Sequence, residues 1–163
     1  MKQALYIEQA GDTAVRCLMC PHTCKIGNGK AGICRVRRNV GGELITDTYG
    51  LISALHLDPI EKKPLYHFYP GSKILSVGSI GCNLRCSFCQ NCEISQTDVH
   101  GYPGMKEHSA EEVVQIAAEM DNNIGIAFTY NEPVVFYEFM MDIAELAKPA
   151  GLKTVMVSNG FIN

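Results

Sequence analysis

The chain has 163 residues, 47% of them hydrophobic, which suits one domain, or one domain with a small appendage, around a packed core. A net charge of -3 excludes a general electrostatic footprint for nucleic acid or an anionic membrane, and no apolar run reaches the ~18 residues of a membrane span. The start, MKQALYIEQAGD, carries acidic residues where a signal peptide needs an apolar core, so a soluble, cytoplasmic protein is expected. In that reducing compartment the 8 cysteines point to metal binding or redox chemistry and not to a disulfide framework.

The first cluster, CLMCPHTCKIGNGKAGIC, spaces Cys17, Cys20, Cys24 and Cys34 as C-x2-C-x3-C-x9-C. Four thiolates with turn residues between them match a closed tetrahedral site holding structural zinc, with an Fe–S cluster as a second option and four metal-free thiols as the bland one. His22 reads as a turn residue. The basic run RVRRN reads as a solvated face, and Gly41-Gly42 followed by the alternation of Leu44 to Thr48 as a hairpin. DPIEKKPLYHFYPGS, rich in proline and turn residues, reads as a linker, dividing the chain into a cysteine-rich segment, 1–70, and a second unit, 71–163. His56 and His67 lack motif context and are assigned to packing or surface.

The second unit alternates strands and helices. Ile74 to Val77 predicts a strand, followed by SIGCNLRCSFCQNC, in which Cys82, Cys86 and Cys89 follow a C-x3-C-x2-C spacing. Three soft thiolates at that spacing suit one Fe–S or zinc centre. Ser109 and Glu112 predict a capping box, and Val113, Ile116, Ala117 and Met120 recur at helical spacing. Ile124 to Phe128 is a second strand. Pro133 opens a helix whose face is Phe136, Phe139, Met140, Ile143, Leu146 and Ala147, and Pro149 and Gly151 stop it. Leu152 to Val157 is a third strand, with Ser158, Asn159 and Gly160 as its turn. Three strands joined by two helices predict an α/β unit with a parallel sheet, and the three-cysteine stretch, TYNEP and SNG should meet on the rim at the strands' C-terminal ends.

These residues resemble the radical SAM superfamily, in which C-x3-C-x2-C binds a 4Fe-4S cluster. Phe88 fits the aromatic position before the third cysteine, and Asn131-Glu132-Pro133 aligns with the end of the GGEP motif, with Tyr130 and Asn131 in place of the two glycines. The wider string, CxxCPHxC with GxxGxC, DPIEKKPLYHFYPG, GCNLRCxFCQN and AFTYNEP, resembles the AmmeMemoRadiSam-system radical SAM proteins, which are similar to pyruvate formate-lyase activating enzymes. Cys92 stands where an aromatic residue is expected and is assigned as a buried or incidental thiol, not a fourth ligand.

The resemblance implies the N-terminal half of a partial TIM-type (β/α)6 radical SAM barrel. It implies a 4Fe-4S cluster on Cys82, Cys86 and Cys89, and S-adenosylmethionine contacted by Phe88, Tyr130, Asn131, Glu132, Ser158 and Asn159. Cys17, Cys20, Cys24 and Cys34 would hold zinc or a second cluster. The implied activity is that of an oxidoreductase: reductive cleavage of S-adenosylmethionine to a 5'-deoxyadenosyl radical that abstracts hydrogen, as in glycyl-radical-enzyme activases. The electron would come from a ferredoxin or flavodoxin, and the substrate would be an unidentified protein or small molecule. The sequence predicts a truncated chain, because the later strands of such a barrel are missing. The alternative is a non-catalytic zinc- or Fe–S-binding interaction protein, or an inactive fragment.

Overall fold

In a computed structural model the chain is described over residues 1–163. Its N-terminal part is built from short antiparallel strands: β1 (Lys2–Gln3), β2 (Ile7–Gln9), β3 (Val15–Cys17), β4 (Lys25–Ile26), β5 (Arg37–Val40) and β6 (Glu43–Thr46). They form two small sheets of order β2-β3-β4 and β1-β6-β5. The hairpin expected at Gly41-Gly42 is present. Both glycines have positive φ, +64° and +94°, so the two-residue turn between β5 and β6 matches the twist of its strands. Val15, Ile26, Val36 and Leu44 point inward and join the main core.

Next come β7 (Leu51–Ile52), β8 (Ala54–Pro59), β9 (Lys73–Gly78), α1 (Cys92–Ser95), β10 (Lys106–Glu107), α2 (Ala110–Glu119), β11 (Asn123–Phe128), α3 (Tyr137–Ala147) and β12 (Lys153–Met156). Strands β12, β11 and β9 lie side by side and parallel, as their alternation with α2 and α3 predicts. The sheet is nevertheless mixed, because β8 adds antiparallel to β9 in the order β12-β11-β9-β8. The stretch expected as a linker thus begins inside the sheet: Asp58 and Pro59 belong to β8, and Ile60 and Lys63 are buried. The protein is an α/β fold with mixed sheets, and they close no barrel.

Alternation along the strands assigns the two faces. Leu75, Val77, Ile126 and Phe128 share the main core with Val113 and Ala117 of α2 and Phe139, Ile143 and Ala147 of α3. Ile74 and Ala127 form a smaller cluster with Ile60, flanked by Leu65, Phe68, Ile124 and Val155. The predicted helix starts are present. Ser109 accepts from the Glu112 N–H at 3.1 Å while the Glu112 carboxylate accepts from the Ser109 N–H at 3.0 Å, a reciprocal capping box. Pro133 opens a short 3-10 turn, Pro133–Phe136, that leads into α3. Leu146, expected on the buried face of that helix, is 37% exposed.

Two buried charges tie the N-terminal strands to the second unit. Arg37, expected in a solvated basic run, is 2% exposed and paired in bidentate fashion with Glu138 of α3. Within the N-terminal segment, partly exposed Arg38 pairs with Asp47 at 2.5 Å.

Candidate functional site

The loops after β9, β11 and β12 meet on one rim, as their order predicts, and three side chains join them. The Asn131 carboxamide accepts from the Ser79 N–H at 3.0 Å and donates to the carbonyls of Ile80 and Gly81, each at 3.0 Å, which fixes the chain leading into Cys82. Asn91, beyond Cys89, donates to the Tyr130 carbonyl at 2.9 Å. Buried Glu132 accepts from the Ser158 hydroxyl at 2.8 Å, from the Asn159 N–H at 2.8 Å and from the Val134 N–H at 3.1 Å. Asn159 Nδ2 in turn donates to Asn83 Oδ1 at 2.8 Å and lies 3.9 Å from the Cys82 sulfur. Cys82, Asn131, Glu132, Ser158 and Asn159 are therefore neighbours in one polar network. Phe88 stands apart at 85% exposure.

Tyr130 keeps a backbone conformation suited to glycine, with φ at +72°, although a tyrosine side chain there is strained. Gly78 makes room for it: a Cβ at Gly78 would come 2.8 Å from Tyr130 Cδ2. The tyrosine hydroxyl donates to Asp58 at 2.6 Å, and the Lys63 ammonium lies 5.0 Å from the ring centroid while pairing with Asp58 at 2.7 Å. Burial, reinforced by Asp58, pushes the Tyr130 hydroxyl up, so it remains a proton donor. Asp58 and Lys63 were missed as partners of this loop because the sequence around them reads as a linker. The available signal was the alternation of Leu55, Leu57 and Pro59 with polar His56 and Asp58, which is strand-like.

The cysteines do not build the expected metal centres. No group of three or more His, Cys, Asp or Glu side chains is arranged to hold a metal ion, either at Cys82, Cys86 and Cys89 or at Cys17, Cys20, Cys24 and Cys34. Two sulfurs of the first set are hydrogen-bonded. Cys82 accepts from the Leu84 N–H at 3.4 Å, Cys89 is bonded to the Ser95 hydroxyl at 3.2 Å, and Cys86 is exposed. Burial pushes the Cys82 thiol up, with the Glu132 carboxylate adding to the shift. In the second set, all four cysteines line one cavity of about 20 Å³, and burial pushes the Cys34 thiol up to about 11. The expectations of a 4Fe-4S cluster, of zinc, of S-adenosylmethionine cleavage and of oxidoreductase activity are corrected accordingly. Cys92, assigned as a buried or incidental thiol, is not buried: it is exposed at the start of α1.

No helix is long and apolar enough to cross a membrane. The chain is 44% identical over 162 residues to an uncharacterized protein of Methanocaldococcus jannaschii, covering 99% of this chain and 48% of that protein. It is 31% identical over 86 residues to a pyruvate formate-lyase-activating enzyme of Clostridium pasteurianum, covering 50% of this chain and 34% of the enzyme. Against a cysteine-type anaerobic sulfatase-maturating enzyme of Clostridium perfringens it is 29% identical over 93 residues, covering 55% and 25%. The chain thus spans about half, or less, of the length of these relatives. No solved structure matches it. The Radical SAM superfamily profile matches residues 76–163, more than half of the sequence, and the chain belongs to that superfamily.

Proposed function

We propose that this chain is a non-catalytic interaction unit of the Radical SAM superfamily, the first half of a (β/α)6 barrel whose next strand pairs with the outward side of β12. The observation that carries the proposal is the hydrogen-bond register of that strand. The Val157 N–H donates to the Phe128 carbonyl at 2.9 Å, and β12 pairs with β11 alone. In a parallel ladder alternate residues serve opposite sides, so the backbone groups of Thr154 and Met156 aim away from β11. Such an edge is a template for strand addition, and the exposed Met156 side chain adds apolar surface.

In this reading β9, β11 and β12 follow the strand order of the first half of a (β/α)6 barrel, and the added strand continues it. Residues 1–70 act as a cover anchored on α3, and residues 71–163 as the barrel half. The motif strings support membership of the AmmeMemoRadiSam-system group.

Replacing Met156 by proline removes the outward N–H while leaving the β11 ladder intact, because an edge strand tolerates proline on its open side. Sedimentation velocity should show the wild-type chain associating with increasing concentration and Met156→Pro remaining monomeric with an unchanged far-UV circular dichroism spectrum. A wild-type chain that stays monomeric throughout would refute the proposal.

A further inference from the structure

The four thiols of the N-terminal segment are left without a role by the correction above, but two of them stand in a defined relation. Strands β3 and β4 pair with Val15 opposite Ile26 and Arg16 opposite Lys25. Continuing that register by one residue sets Cys17 opposite Cys24, and the Cys17 N–H donates to the Cys24 carbonyl at 3.0 Å. Directly opposed residues project from the same face of an antiparallel pair, and at a hydrogen-bonded position their Cα atoms are about 5.5 Å apart. That spacing lies within the range that a disulfide spans. Cys20, on the six-residue connection 18–23, and Cys34, beyond β4, have no such opposed partner, although both line the same cavity.

We infer that Cys17 and Cys24 form a cross-strand redox pair that closes to a disulfide by exchange with a small-molecule disulfide. Cys24 is partly exposed and Cys17 buried, which orders the steps. The Cys24 thiolate attacks the reagent RSSR, forming a mixed disulfide and releasing one RSH with the Cys24 proton. The Cys17 thiolate then attacks the Cys24 sulfur, forming the Cys17–Cys24 bond and expelling the second thiol, which carries the Cys17 proton. One S–S bond is broken and one formed; the reagent is reduced to two RSH and the protein is oxidised by two electrons.

The bond would clamp the base of a loop that reaches the rim. His22 Nε2 is 2.8 Å from the Asn83 carbonyl, its ring meets Phe161 edge-on, and Asn163 Nδ2 donates to the Leu18 carbonyl at 2.7 Å. Oxidation at Cys17 and Cys24 would therefore stiffen the support of the chain around Cys82.

The test treats the full chain with oxidised glutathione, blocks free thiols with iodoacetamide, reduces, labels with N-ethylmaleimide and maps each cysteine by tandem mass spectrometry. The expected result is maleimide on Cys17 and Cys24, carbamidomethyl on Cys20 and Cys34, and the same pattern at the remaining positions in a Cys20→Ser variant. Maleimide on Cys20 or Cys34, or carbamidomethyl on all four, would overturn the assignment. Cys17→Ser should abolish maleimide labelling at Cys24 after excess glutathione is removed with a monothiol wash; persistent labelling of Cys24 through Cys20 would also overturn it.

Discussion

Arg37 and Glu138, 101 residues apart in sequence, form a buried bidentate ion pair, with Nη1 to Oε2 at 3.0 Å and Nη2 to Oε1 at 2.9 Å. The same two side chains hold the backbone of Leu5, whose N–H donates to Glu138 at 2.8 Å and whose carbonyl accepts from Arg37 at 2.8 Å. One interaction thus joins the chain's start, β5 and α3. Glu138→Ala would leave a guanidinium buried without its partner, and urea denaturation should show a loss of about 3–5 kcal/mol. The double variant Arg37→Met with Glu138→Leu should lose less than the sum of the single changes, and simple additivity would count against a coupled pair.

The acid limb of stability should depend on Asp58. Burial opposes its ionisation, but hydrogen bonds from Lys62, Lys63 and Tyr130 outweigh that and hold the carboxyl well below the usual range. A folded-state value below the unfolded one gives stability that is fully present above the unfolded pKa, about 4, and is lost as pH falls through the folded value. Tyr130→Phe and Asp58→Asn should both flatten the decline of stability with pH below about 4, Asp58→Asn more strongly. Denaturation midpoints that fall with the same slope in wild type and Asp58→Asn would contradict this.

The capping box of α2 gives a local test. Ser109→Ala removes the acceptor for the Glu112 N–H and should cost about 1 kcal/mol, whereas Ser109→Gly should cost only a few tenths. Chemical denaturation separates the two, and equal losses would show that the cap does not act through the serine side chain.

What the sequence disclosed was mostly local. The capping pair Ser109 and Glu112, the Gly41-Gly42 turn, Pro133 at its helix start and the apolar runs of β9, β11 and β12 act within a few residues of themselves, so their patterns survive in the one-dimensional string. The meeting of Asn131, Glu132, Ser158 and Asn159 on one rim also followed from the order of strands and helices. Long-range pairings were not legible. Arg37 looked solvated because Glu138 lies far along the chain, and Asp58 looked like a linker residue because its partners, Lys63 and Tyr130, meet it only after β8 pairs with β9. Cysteine spacing was the most misleading signal. It specifies which thiols could converge, not whether their side chains are arranged as a ligand group.

Anaerobic incubation with ferrous iron and sulfide, followed by gel filtration and iron analysis, measures whether the cysteines of this chain form a ligand group for a metal. The protein should emerge without stoichiometric iron and, after reduction with S-adenosylmethionine present, form no 5'-deoxyadenosine. Retained iron that is lost on substituting Cys82, Cys86 or Cys89, together with 5'-deoxyadenosine, would contradict it.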